Sequence, residues 1–185
     1  MNKKLKIGFS LNLANAGPSN FLNKLRRAFA QNNFAKTSYF FNPFTDCNIY
    51  SNKVRNPWKK PYIFRVDGIG YDTSQPKEHL NAINGLITEG INEAIGLIYQ
   101  TEHSKKMAET FLNIKPIMST VIVNGTNLDE FNSNGDNHRA TLNIPESALV
   151  LLSSAKWRPQ KRLVDIVKVF KTYKNLYEGD TYLII

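Results

Sequence analysis

A single cysteine, Cys47, stands in 185 residues, which excludes an intramolecular disulfide and any cysteine-rich zinc site. The three histidines, His79, His103 and His138, lie far apart with no metal-ligand spacing, so no metal centre is expected. Apolar runs are short and broken by polar residues, which excludes a transmembrane helix. Neither a Gly-x-Gly-x-x-Gly nor a Walker pattern occurs, so a standard dinucleotide or P-loop site is excluded. Acids are in the minority, 15 Asp and Glu against 24 Lys and Arg, for a formal net charge of +9. That balance favours anionic partners, whether phosphates, nucleotides, nucleic acid or a membrane surface, without choosing among them.

What remains is a globular composition, 42% hydrophobic and 21% charged, in a length that suits one domain or one domain plus part of another. Lys3, Lys4 and Lys6 precede Leu11-Asn12-Leu13-Ala14-Asn15-Ala16, a superficial signal peptide with an Ala-x-Ala cut. Lys6, Ser10 and Asn12 interrupt its apolar core, so a cytoplasmic protein is expected and the Asn124-Gly125-Thr126 sequon carries no glycan.

Short apolar runs alternate with amphipathic stretches. The runs at 5–10, 38–41, 61–66, 95–100, 120–123, 148–152 and 181–185 read as strands. The spacing predicts helices over 21–34, 79–94, 104–112 and 161–173. Ser19 or Asn20 is positioned to cap the first; Gly85 and Gly90 weaken the second by up to about 1 kcal/mol each relative to Ala. This order predicts an α/β fold, a Rossmann-like parallel sheet with helices on both faces. Residues 124–143, rich in Asn, Asp, Gly and Thr, read as an irregular connection. The expected domains are 1–143, with that linker, and 144–185, the first βαβ unit of a second Rossmann-like domain. One such unit cannot bury both faces of its sheet, so the second domain is expected to be incomplete within this chain.

Four segments carry candidate chemistry. Gly17-Pro18-Ser19-Asn20 lies between a strand and a helix, where free amides could meet an anion; its plain reading is a capped turn. Arg65-Val66-Asp67-Gly68 ends a strand, where ligands gather in open α/β sheets. Asp67 there could act as a base or a hydroxyl acceptor, or be a turn residue with Arg65 as its ion-pair partner. Asn124-Gly125-Thr126-Asn127-Leu128-Asp129-Glu130-Phe131 reads equally as a polar linker. Lys156, Arg158, Lys161 and Arg162 put four cations within seven residues, between a strand and a helix, and could bind a diphosphate.

In this order the segments resemble the retaining, nucleotide-sugar-dependent glycosyltransferases of the two-domain GT-B fold, the glycosyl transferases group 1. Gly17-Pro18-Ser19-Asn20-Phe21-Leu22 resembles the glycine-rich first loop of that family. Residues 94–105 resemble "A-D-x-h-h-x-x-S-x-x-x-K", where h is hydrophobic. Asn124-Gly125-x-x-Leu128-x-x-Phe131 is similar to "N-G-V-D-x-x-x-F", which closes the acceptor domain. Residues 155–162 are similar to "G-R-L-x-P-E-K-G", which opens the donor domain. The resemblance implies that Lys156 and Lys161 contact the donor diphosphate. Lys156 stands where the family has Arg, a point charge for a fork, and Arg158 could compensate. It implies an acceptor side at Arg65, Asp67 and Gly68, an interdomain position for Asn124 and Gly125, structural roles for Glu102 and Ser104, and no bound metal or cofactor. The Glu-x7-Glu pair of the family's donor domain has no counterpart here, since no two glutamates have that spacing. The chain by itself is therefore expected to be inactive or nearly so. The expected partners are a nucleotide-sugar donor and a glycan, lipid or protein acceptor, with peripheral contact to an anionic membrane and a second chain supplying the missing half also open. The competing reading is a basic nucleic-acid-binding module; against it, the aromatics sit in apolar periodic runs rather than among exposed cations.

Overall fold

The computed structural model describes residues 4–10, 17–39, 43–51, 53–71, 76–155 and 157–185. They divide into two compact units, Met1–Gly125 and Thr126–Ile185. The boundary falls at the start of the irregular connection, so that connection belongs with the second unit.

The first unit holds a six-stranded parallel sheet. Its strands are β1 (Lys6–Phe9), β2 (Lys36–Tyr39), β3 (Cys47–Ser51), β4 (Tyr62–Val66), β5 (Gly96–Tyr99) and β6 (Ser119–Val121), in the order β2-β1-β3-β4-β5-β6. Helices α1 (Gly17–Gln31), α2 (Lys77–Asn92) and α3 (Glu102–Phe111) flank it. The expected parallel α/β fold is thus present, with one strand that the pattern did not suggest. Cys47-Asn48-Ile49-Tyr50-Ser51 is short and half polar, yet β3 lies inside the sheet between β1 and β4. No helix occurs among the described residues between β2 and β3 or between β3 and β4.

The pleat sorts side chains to two faces. Phe9 and Ile49 stand on one face, where they pack with Leu22, Phe21, Leu25 and Phe29 of α1. Tyr50, Tyr62, Phe64, Val66, Leu97 and Tyr99 stand on the other, against Ile87 and Ile91 of α2 and Ala108 of α3. Each fully buried large apolar side chain, such as Phe64 or Leu97, stabilises the fold by about 2 kcal/mol. Gly90 of α2 lies so close to β4 that a Cβ there would meet the Phe64 ring at 2.5 Å, and its carbonyl accepts from the Tyr62 hydroxyl at 3.0 Å. The glycine that lowers local helix propensity is the one that lets α2 approach the sheet.

Helices α1 and α3 both begin before the positions that the spacing predicts. Gly17-Pro18-Ser19-Asn20, expected as a turn, forms the first turn of α1. Proline is tolerated there because the first amides of a helix have no intrahelical acceptor. α3 begins at Glu102 under a reciprocal cap: Thr101 Oγ1 accepts from the Ser104 amide at 3.0 Å, and Ser104 Oγ accepts from the Thr101 amide at 3.1 Å. Ser104 is thus part of the cap, and Glu102 is exposed in the first turn of α3.

The second unit pairs β7 (Leu149–Leu152) with β8 (Thr181–Ile184) in parallel. A single 3-10 turn, Pro159–Lys161, and helix α4 (Leu163–Leu176) lie between them. The preceding connection is tied to this unit by Arg139, whose Nη1 donates to the carbonyls of Pro145 and Ala148. α4 has no buried residue, and Leu152 and Leu176 are 72% and 79% exposed.

Candidate functional site

The order of the sheet reverses between β1 and β3, and ligands of such sheets bind beyond the carboxyl ends of the strands near that reversal. At those ends of β3, β4, β5 and β6 the first unit gathers five polar side chains: Ser51, Arg65, Asp67, Gln100 and Asn124.

Arg65 alternates with Phe64 and Val66 along β4, which turns it to the α1 face. Its guanidinium carbon lies 3.7 Å from the centre of the Phe21 ring, a stacking that favours Arg over Lys. The Arg65 side chain is 1% exposed and that of Asp67 13%. Arg65 Nη1 forms an ion pair with Asp67 Oδ1. Arg65 Nη2 donates to Asn124 Oδ1 at 2.8 Å, and Asn124 Nδ2 donates to Gln100 Oε1 at 3.1 Å. Gln100 Nε2 closes the ring by donating to Asp67 Oδ1 at 2.9 Å and to the Asp67 carbonyl at 2.8 Å. Ser51 Oγ donates to Asp67 Oδ2.

The two ends of this circuit fix its sense. Arginine only donates and an ionised carboxylate only accepts, so Asn124 must receive with its oxygen and pass a donor to Gln100, which in turn donates to Asp67. Burial pulls the pKa of Arg65 down, while the charge of Asp67 and its hydrogen bond hold it up. Arg65 Nε is buried without a hydrogen bond. Among the described residues, Asp67 Oδ1 takes two side-chain donors and Oδ2 one, so Oδ2 keeps the freer lone pair. Just beyond, Gly68 has φ of 146°, a conformation that side chains rarely adopt.

The other expected site residues fall as follows. Ser19 is buried in the first turn of α1 and Asn20 is exposed. Arg65 is a buried partner of Asp67 rather than an exposed contact. Asn124 belongs to the first unit's polar ring, and the boundary between units follows Gly125. In the second unit Arg158 and Lys161 are exposed beside the 3-10 turn, beyond the carboxyl end of β7. Lys156 lies outside the described residues. Arg162, counted among the four cations, forms an ion pair with Asp165 at 2.7 Å. Its backbone is left-handed, φ 53°, at the position where the resembled motif ends in glycine.

Ser51 and Gln100 were not anticipated. Ser51 ends the strand that the pattern did not reveal. Gln100 follows β5 directly, and the rule that singled out Asp67, proximity to a strand's carboxyl end, applies to it equally. Among the described residues no group of three or more His, Cys, Asp or Glu could hold a metal ion, and no helix is long and apolar enough to cross a membrane.

Fold and site together define a Rossmann-like α/β protein with a polar cluster at the carboxyl edge of its parallel sheet. Comparison with protein-family models and with curated proteins gives no match.

Proposed function

We propose that the protein acts in glycosyl transfer from a nucleotide-diphosphate sugar, with GT-B architecture and retention of configuration. In this reading Asp67 receives the acceptor hydroxyl, and the loop leading into α4 receives the donor diphosphate. The observation that carries it is the backbone of that loop. The segment similar to "G-R-L-x-P-E-K-G" runs from strand to helix and turns left-handed at Arg162, where the motif has glycine. Arg158 and Lys161 are exposed beside that turn, as diphosphate contacts need to be.

The chemistry asked of these residues is electrostatic. The bond from the anomeric carbon to the diphosphate oxygen breaks first, and its electron pair leaves with the phosphate. Arg158, Lys161 and, by resemblance, Lys156 stabilise that charge. The acceptor hydroxyl forms its new bond to the anomeric carbon on the face the diphosphate leaves, and its proton passes to the departing phosphate oxygen.

The test is a fluorescence titration of Trp157, which lies in this loop, with uridine, guanosine and adenosine diphosphates. Saturable binding is expected, weakened about tenfold by Lys161→Ala or Arg158→Ala. No diphosphate affinity, together with single-stranded RNA binding that falls steeply with salt, would replace this reading by the nucleic-acid one.

A further inference from the structure

We propose that the Asp67 cluster selects an uncharged, hydroxyl-bearing ligand, a neutral sugar, over a phosphorylated or aminated one. This rests on the glycosyl-transfer reading and names the chemical class of its acceptor.

Arg65 is the only cation hydrogen-bonded to the cluster among the described residues, and it is enclosed. Its two Nη atoms donate to Asp67 and Asn124, Phe21 covers one face, and at 1% exposure its remaining N–H groups, the unpaired Nε among them, are buried out of a ligand's reach. Its charge balances Asp67, so the cluster as a whole is neutral. Among the described residues, a lone pair on Asp67 Oδ2, a second lone pair on Gln100 Oε1 and the second N–H of Asn124 have no hydrogen-bond partner.

Two acceptors and one donor, without net charge, suit neighbouring hydroxyls, because each hydroxyl both donates and accepts. A phosphate brings only acceptors and negative charge. It would set anionic oxygens against Asp67 Oδ2 and Gln100 Oε1, with one neutral N–H to receive it, and would pay desolvation without compensation. An ammonium brings three donors and no acceptor. It leaves the Asn124 N–H unmatched and adds a positive charge to a site whose own cation already neutralises its carboxylate. The pairing of Arg65 with Asp67 is thus a filter on charge as well as a brace.

The test is a set of 1H–15N titrations of the whole chain with methyl α-glucopyranoside, glucose 6-phosphate and glucosamine, each to about 20 mM, a range suited to millimolar affinities. The neutral glycoside is expected to give saturating shifts of the Gln100 and Asn124 side-chain amides and of the Gly68 amide. The two charged sugars are expected to bind at least about fivefold more weakly. Asn124→Ala, at an exposed position, should weaken the glycoside about fivefold by removing one donor. Tighter binding of the phosphate or of the amine overturns the charge filter and leaves glycosyl transfer standing with a charged acceptor. Absence of shifts with all three overturns the proposal as well, whereas the transfer reading is judged separately by the diphosphate titration.

Discussion

Asp67 and Arg65 are each the other's condition for burial. Removing the carboxylate leaves a guanidinium 1% exposed and unpaired, the costly way to break such a pair. Asp67→Ala should destabilise the fold by about 3 kcal/mol in urea unfolding, whereas Asn124→Ala, at an exposed position that keeps the ion pair, should cost about 1 kcal/mol or less. Two other buried residues give a readable pH signature. Burial raises the Tyr62 pKa from its ordinary 10.0 to about 12, helped by the charge of Glu93 and by Tyr50; burial and Glu109 do the same for Tyr99. The unfolded chain releases these protons first. Their contribution is therefore complete below pH 10 and is lost as pH rises through about 12. Absorbance at tyrosinate wavelengths should show two of the eight tyrosines ionising last, together with falling stability above pH 10. Ionisation of all eight near pH 10 in the folded state would contradict the packing of β4 and β5.

The elements divide into those that the pattern reveals and those that tertiary context creates. β4, β5, α2 and α3 were legible because their apolar positions repeat at the period of their element over enough residues. β3 was not, because Asn48 and Ser51 break its alternation and its burial comes from β1 and β4 on either side. The first turn of α1 was hidden by Gly17-Pro18, a pair that marks a turn as readily as a helix start. The two α2 glycines, alike in sequence, separate in the structure. At Gly85 a Cβ would meet nothing within 4 Å, so Gly85→Ala should stabilise by about 0.5–1 kcal/mol through helix propensity alone. At Gly90 the Phe64 ring occupies that space, so Gly90→Ala should destabilise by about 1–3 kcal/mol. Thermal melts of the two variants should move in opposite directions. The site followed the same division. Asp67 and Arg65 were visible as a charged pair at a strand end, but the hydrogen bond from Arg65 to Asn124 joins residues 59 apart in sequence, and no local pattern encodes it.

At the scale of the whole chain, the two units differ in how much they bury. The first covers both faces of its sheet, with Phe64, Val66, Leu97 and Tyr99 almost fully enclosed. In the second, α4 buries no residue and β7–β8 is a lone parallel pair, an arrangement of marginal stability by itself. Native-state hydrogen exchange should accordingly show β4 and β5 amides protected up to global unfolding, and those of α4 and β8 exchanging through smaller openings. Equal protection in both units would mean that the apolar side chains of α4 are covered. The central claim concerns the same second unit: that its basic loop, residues 153–162, receives the diphosphate of a sugar donor. An amide shift map of the whole chain with uridine or guanosine diphosphate tests this most directly. The account predicts saturating shifts concentrated at 153–163, with an affinity weakened about tenfold by Lys161→Ala. Shifts absent from that loop, or spread over the basic surface and erased by moderate salt, would contradict it.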